Sequence, residues 1–572
     1  MLRFVQIRQR TRANAYLWSS LLPALAFSLM HFGAVDARAQ DDPAQAIILE
    51  RIDQLQTVGE LTIRDQWVAA THVVTGLYAN RDFTRAWTDP HALEELHQAV
   101  LDMKLDGLDP EDYHLATLTA LFREMGGSRA PDPEMLADFD ILATDALARV
   151  IYHAEFGKVD PESLDSHWNL IRQLESREPG SYIQEVIDSG DVYERVASHK
   201  PQNQFYTGLK QALVDYREIE AAGGWPVFPG GASVEASASD PRIPVLREQL
   251  SVMGDYSGQA SQSTVYDGEL VEAVKLFQFR HGLPTTGLVG SMTMAALSVP
   301  VEKRIEQIRV SLERGRWILH DLEPRFLVVN IAAFKVYLVR DGVLEWETRA
   351  QVGKIYRKTP LFKSEIRYMD VNPTWTVPRT ILEQDMLPRI KRDPSYLQQK
   401  GLKVLDRNGD EVDPATVDWS RYSTAAGFPY LLRQGPGPTN ALGRIKFMFP
   451  NEYAIFLHDT PSRSLFAQSE RAFSSGCVRV ENPFTLAELL MDDPENWPEE
   501  RFLEIKDSEE TKSVFLPKDK RIPVLLLYWT ADAGIDGYLH FRDDIYERDA
   551  AVLAGLDGDF TVRARPIVAP SQ

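Results

Sequence analysis

The run AIFLHDTPSRSLFAQSERAFSSGCVRVEN, Ala454 to Asn482, decides how the chain is read, because it holds Cys477, the single cysteine among 572 residues. Ile455, Phe456 and Leu457 form a short apolar run that predicts the end of a buried strand, delivering His458 to a loop. Ser474, Ser475 and Gly476 precede the thiol. Small residues let backbone N–H groups approach a reacting carbonyl, as an oxyanion hole requires. The thiolate is the nucleophile, so a base is needed. His458, nineteen positions upstream, is the candidate, brought back by a hairpin-sized excursion. Taken alone, a free cysteine is more often a buried structural residue.

The order His458, Ser474, Ser475, Gly476, Cys477, Val478, Arg479 resembles the motif of the YkuD-type L,D-transpeptidase catalytic domain. That motif is a histidine, a spacer, then Ser/Thr-His-Gly-Cys with Arg or Asn two places on. The chain departs from it at Ser475, where many members carry a second histidine, which leaves His458 as the sole motif imidazole. The resemblance implies Cys477 as nucleophile and His458 as base, with N–H groups around Ser475, Gly476 and Cys477 holding the oxyanion. Arg479 contacts a substrate carboxylate or pins the loop, and Ser474, grouped with Arg479 among the substrate-binding residues, is a loop hydrogen-bonder rather than a nucleophile.

The implied reaction opens the bond between the third-position diamino acid and D-Ala of a peptidoglycan tetrapeptide stem. A second stem's side-chain amine then takes the thioester, giving a 3-3 cross-link. With water as acceptor the same chemistry makes an L,D-carboxypeptidase, and with a protein acceptor a wall-attaching transferase. A non-catalytic wall-binding protein would tolerate loss of Cys477. The residues leave these readings open. No His-Glu-x-x-His supports a metal amidase and no Gly-x-Ser-x-Gly a serine hydrolase, so no metal or cofactor is expected.

Apolar and charged fractions of 44% and 25% are those of a globular chain. The formal charge of −21 argues against nucleic acid, whose phosphates need a basic surface. Arg3, Arg8, Arg10 and Arg12 precede an apolar stretch from Ala15 to Val35, and Ala37-Arg38-Ala39 supplies a small-x-small site. Residues 1–39 read as a secretory signal, which places the protein in the periplasm. Left uncleaved, the segment would instead give a transient inner-membrane association. Export also means no ATP, and a transpeptidase needs none, because the thioester conserves the energy of an existing peptide bond. An unpaired cysteine in an oxidising compartment is itself a sign of reactivity.

The fold class expected is multidomain α+β. Residues 40–222 read as helical. Asp89-Pro90 starts a helix carrying Leu93, Leu96, Val100 and Met103, Asp106-Gly107-Leu108-Asp109-Pro110 ends it, and Asp132 to His153 forms a long amphipathic helix. This region resembles the scaffold domain of the larger, YcbB-type members. His153, His167 and Trp168 match no metal spacing and read as scaffold residues. Residues 223–240, rich in Gly and Pro, predict a flexible linker. Residues 241–300 resemble the three-helix peptidoglycan-binding module, with Leu270, Val274 and Phe277 as its core stripe; the resemblance implies glycan contacts, while the residues leave open a role that only spaces the catalytic domain from the wall. An amphipathic helix within 301–324, with Ile305, Ile308 and Leu312 on one face, leads to a mostly-β catalytic domain, 325–506. Asp341-Gly342 predicts a hairpin, and VGKIYRKTPLFKSEIRYMDVNPTWTVPRTI, Val352 to Ile381, matches the family pattern closely.

After Asn372-Pro373-Thr374-Trp375 a substrate-covering lid is expected at 378–432, with Arg389, Lys391 and Arg392 near its start and a hairpin at Asn408-Gly409. The run from Asp406 fails as a calcium loop, having Glu411 and Val417 where Gly and Glu are needed. Gly435 to Gly443 lacks a phosphate-loop lysine and reads as the turn returning the lid. Arg444 and Lys446 beyond it read as solvated or substrate-facing charges. Residues 507–572 supply a closing strand and an extension.

Overall fold

The computed structural model describes residues 42–127, 131–165, 178–320, 322–534 and 536–559. The signal read at residues 1–39, and His167 and Trp168, lie outside them. From Pro43 on, the chain is one unit of packed helical and sheet regions.

The helical region begins several of its elements in one way. At Asp89-Pro90, Asp109-Pro110, Asp132-Pro133 and Asp160-Pro161 the aspartate accepts the N–H two residues on, while proline occupies the first helical position. Proline's fixed φ suits that position and its missing donor is no loss there. The helix Pro133–Phe156 is not amphipathic as read from sequence, for its polar face is buried too. Asp140 accepts from Tyr78 Oη at 2.6 Å and from the Ala86 and Trp87 N–H groups at 2.8 and 3.0 Å. Asp145 is held by the Ala70 N–H at 2.7 Å, His114 Nε2 at 2.8 Å and Arg149 at 2.7 Å. Charges that look solvated in the sequence are partnered core groups. His153, read as a scaffold residue, is fully buried with Nδ1 2.9 Å from Tyr113 Oη, and burial pushes its imidazole well below the ordinary value, so it is neutral.

The linker also differs from expectation. Trp225, Phe228 and Val234 are buried in the core of the three-helix module, the Phe228 N–H donates to Gln249 Oε1 at 2.9 Å, and Val234 bridges to Val289. Its apolar side chains dock it despite the glycines around them. The module's helices are Ile243–Val252, Gly268–Arg280 and Ser291–Leu297, with Leu270, Val274 and Phe277 fully buried.

The helix Val301–Ile318 is the second correction to an amphipathic reading. Ile305, Ile308 and Leu312 are buried, but so are Arg304, Glu313, Arg314 and Arg316. Glu313 holds Arg316 through Nη2 and through Nε at 3.1 Å, and accepts the Val159 N–H at 2.6 Å. Arg316 Nη1 reaches the Asp106 carbonyl at 2.8 Å and Tyr206 Oη at 2.9 Å. The helix therefore joins scaffold segments around Asp106, Val159 and Tyr206 through buried charge. Removing one member of such a pair strands the other. Glu313→Ala is expected to lose about 3–5 kcal/mol of unfolding free energy, read as a lower urea midpoint, and Glu313→Leu/Arg316→Leu to recover much of it.

The catalytic region is an eleven-stranded mixed sheet. Its strands, numbered in chain order, are β1 (Arg325–Asn330), β2 (Lys335–Arg340), β3 (Val343–Gly353), β4 (Phe362–Ile366), β5 (Tyr368–Val371), β6 (Ile445–Met448), β7 (Leu457–His458), β8 (Ala472–Ser474), β9 (Val478–Val480), β10 (Lys512–Phe515) and β11 (Ile522–Leu527). They lie in the order β10-β5-β6-β7-β9-β3-β2-β1-β11-β4, with β8 alongside β3. The β2–β3 hairpin turns on Asp341 and Gly342, both at positive φ, as a two-residue loop requires. The closing strand β11 pairs in parallel with β1.

The segment expected as a lid is a small folded body. Leu402–Leu405, Glu411–Val412, Leu431–Gln434 and Trp375–Thr376 form a four-stranded sheet over a core that includes Leu382, Leu387, Ile390, Val404, Trp419 and Leu432. Asn408 and Gly409 sit in its hairpin, where Asp406 Oδ1 accepts the Asn408 and Asp410 N–H groups at 2.8 and 2.9 Å. Among the described residues no helix is long and apolar enough to cross a membrane.

Candidate active site

One row of side chains crosses four strands. Lys446 on β6 is opposite His458 on β7, His458 is opposite Arg479 on β9, and Arg479 is opposite Gln351 on β3. Residues in register share a face. Cys477 lies in the bend immediately before β9, and the Arg479 charge acts on both the thiol and the His458 imidazole. His458 is thus a strand residue, not a loop residue. β7 and β9 run parallel, so the excursion between them is a crossover rather than a hairpin. Parallel neighbours need such a long return. This one carries the turn Arg463–Ala467 and the strand β8.

His458 is 4% exposed, and its Nδ1 donates to the Asp459 carbonyl 2.5 Å away. That bond fixes the tautomer with Nε2 as proton acceptor. Asp459 is in turn held by its own contacts, Oδ2 to the Arg444 N–H at 2.8 Å and Oδ1 to Arg463 Nη2 at 3.0 Å. Burial, then the nearby Arg479 charge, pushes the imidazole down to about 3, against the pull of the Asp459 and Leu442 carbonyls. Cys477 is half-buried, with Sγ 3.8 Å from the Ala454 carbonyl. Burial pushes its thiol up to about 11, while the Phe456 N–H and Arg479 draw it down. At neutral pH both groups rest uncharged. The alkylation rate of Cys477 by iodoacetamide is therefore expected to rise tenfold per pH unit from 7 to 10, with no plateau near the ordinary thiol value. Intact-mass time courses measure this directly.

The loop before the thiol is braced from within. Ser474 is 2% exposed; its Oγ donates to the Cys477 carbonyl at 2.5 Å and accepts the Gly476 N–H at 3.1 Å. Ser474 thus faces the loop rather than a substrate, and the Gly476 N–H is spent on it. The Ser475 and Cys477 N–H groups make no hydrogen bond among the described residues. Gly476 sits at φ +119, a backbone region that L side chains rarely adopt. Ser475 is exposed, its Oγ accepting from Arg357 Nη1 at 2.9 Å.

Arg479 donates to Gln351 Oε1 at 3.0 Å, and its buried Nε has no partner among the described residues. Arg444 and Lys446 are not solvated charges. Arg444 Nη2 donates to the Lys506 carbonyl at 2.6 Å, and Lys446 pairs with Asp370 at 3.0 Å. No group of three or more His, Cys, Asp or Glu is placed to hold a metal ion among the described residues. Sequence reading missed the Asp459 carbonyl, although it is adjacent to the histidine, and it missed Arg357, which lies in a quoted family segment but has no role legible there.

A thiol, an imidazole whose Nδ1 is bound to a carbonyl, and two N–H groups without a hydrogen bond among the described residues are parts that acyl transfer can use. Comparison with known proteins agrees. An L,D-transpeptidase catalytic domain matches residues 324–498, a scaffold domain residues 72–213, and a "Putative peptidoglycan binding domain" residues 239–297. A Haemophilus influenzae protein named "Putative L,D-transpeptidase" is 42% identical over 542 residues, spanning 93% of this chain and 90% of that one.

The chain belongs to the L,D-transpeptidase family.

Two solved L,D-transpeptidases are similar in part. That of Xylanimonas cellulosilytica shows 15% identity over 52% of this chain and 99% of its own, with a TM-score of 0.18. That of Stackebrandtia nassauensis shows 13% over 53% and 96%, with a TM-score of 0.21. Likenesses this distant carry no argument about the site. As a family member with a peptidoglycan-binding domain, this L,D-transpeptidase acts at the cell envelope.

Proposed function

We propose that this L,D-transpeptidase forms 3-3 peptidoglycan cross-links through a thioester on Cys477. The observation that carries the reading is the position of Cys477 immediately before β9, the strand paired with that of His458, with His458 Nδ1 committed to the Asp459 carbonyl and the Arg479 charge acting on both groups. His458 Nε2 takes the thiol proton as Sγ attacks the carbonyl joining the diamino acid to D-Ala. The Ser475 and Cys477 N–H groups receive the oxyanion. The C–N bond breaks, and D-Ala leaves with the proton from His458. The side-chain amine of a second stem then attacks the thioester, loses a proton to His458, and returns the thiol. Peptidoglycan stems and glycan are the partners, and the segment 1–39 supports export to the periplasm.

The test is intact-mass spectrometry of residues 40–572 and of a folded Cys477→Ala variant with a purified disaccharide-tetrapeptide. The expected result is a thioester adduct and D-Ala release that vanish with Cys477, together with a dimer one D-Ala lighter than two donors. Release of D-Ala without dimer overturns the cross-linking step in favour of hydrolysis. Binding without turnover in either form overturns catalysis altogether.

A further inference from the structure

Three successive residues of the nucleophile loop are gripped by one short segment following β3. The Lys354 N–H donates to the Ser474 carbonyl at 3.1 Å, Arg357 Nη1 to Ser475 Oγ at 2.9 Å, and Thr359 Oγ1 to the Gly476 carbonyl at 2.8 Å. The first and third links tie the loop to the body of the catalytic region. Thr359 is fixed there, its N–H donating to Tyr546 Oη at 3.2 Å, while that phenol donates to the Gly353 carbonyl at 2.5 Å. The middle link alone continues into the lid. Arg357 Nη1 also donates to Asp385 Oδ2 at 2.5 Å, and Nη2 donates to Gln384 Oε1 at 2.8 Å.

Gln384 and Asp385 lie in Leu382–Met386, a single π-helical turn near the start of the lid. Such turns are rare in helices and cluster at functional positions. The Arg357 side chain is only 10% exposed although it carries a full charge, whereas that of Asp385 is 40% exposed. A planar guanidinium can hold three acceptors on two elements in a fixed geometry, which an ammonium cannot.

We propose that Arg357 is the positioning residue that couples lid closure to the nucleophile loop. With the lid down, Asp385 and Gln384 set the guanidinium. The guanidinium sets Ser475, and through it the aim of the Ser475 and Cys477 N–H groups. Lifting the lid frees Arg357 and loosens the loop at its exposed residue. The acyl-enzyme is then best organised only while water is shut out. This rests on the thioester reading of Cys477, so its test includes a measurement that needs no turnover.

The full chain carries Arg357→Lys, Asp385→Asn and both together. Cys477 is the only thiol, so iodoacetamide reports its access and mobility alone. Each single substitution is expected to raise alkylation roughly three- to tenfold, the scale of one partly exposed charged hydrogen bond, and the double no further than the faster single. With tetrapeptide, kcat falls while KM holds, and the ratio of dimer to hydrolysed stem falls severalfold. Asp385→Glu, which keeps the carboxylate, restores part of that ratio. Wild-type alkylation in Asp385→Asn, or single effects that multiply in the double, overturns the coupling. Alkylation as expected with no D-Ala release from any form leaves the coupling standing and strikes the cross-linking reading instead.

Discussion

Replacing His458 by Gln is expected to slow acylation of Cys477 by roughly 10²–10⁴-fold, the contribution of a positioned general base, read as D-Ala release under single-turnover conditions. Glutamine fills similar space and can still donate to the Asp459 carbonyl, so loss of proton acceptance is separated from loss of packing. With the thiol raised to about 11 and the imidazole lowered to about 3, no ion pair stands ready before substrate arrives. The proton must move as the C–S bond forms. Hence the acid limb of the activity profile should carry no break from His458 between pH 7 and 5, because the imidazole stays neutral there. Stability has the opposite signature. In the unfolded chain His458 takes up a proton near its ordinary 6.5, whereas in the fold it resists until about 3. The unfolded state therefore binds more protons in that window, and this contribution to stability is lost as pH falls from 6.5 toward 3. Urea unfolding at pH 7 and pH 4.5 should show wild type losing more than His458→Gln. Acylation at wild-type rate in the variant would place the base elsewhere.

What the sequence reveals and what it hides divide along physical lines. Helix starts at Asp89-Pro90 and Asp132-Pro133 are legible because capping is local, decided by residues two positions apart. The Asp341-Gly342 hairpin is legible for the same reason. The parallel pairing of β7 with β9 is not, because residues 459–477 carry no periodicity that says which way the chain returns. The buried charges of Glu313 and Arg316 are hidden by a composition rule: charged residues at helical spacing normally face water, and only tertiary partners such as Asp106 and Tyr206 reverse that. Likewise Trp225 and Phe228 dock a segment that its glycines make look free. At the site, Cys477 and His458 stand out by residue type. The groups that aim them are backbone carbonyls and an arginine 118 residues from Ser475, and no single-chain pattern links those.

Excising residues 378–432 tests the proposed competition between amine and water for a thioester on Cys477. The Val377 N–H donates to the Leu432 carbonyl at 2.9 Å, and Thr376 pairs with Arg433. The chain thus leaves and re-enters the catalytic region at adjacent points, and an Asn-Gly turn can close the gap left by 378–432. The excised piece takes most of its own core with it, leaving Val377 and Trp375, and the eleven-stranded sheet loses none of its pairings. Neither His458 nor the Ser474 brace is touched by the lid, so acylation should persist in the deletion. The Arg357 contacts to Gln384 and Asp385 are lost, however, and the thioester is opened to solvent. Water outnumbers any stem amine, and only exclusion lets the amine win. D-Ala release is therefore expected to continue while products shift from dimer toward hydrolysed stem, by more than in Asp385→Asn because shielding and latch are lost together. An active, folded deletion with an unchanged product ratio would mean that acceptor choice is made by amine binding near Cys477, with the lid serving only to admit the donor.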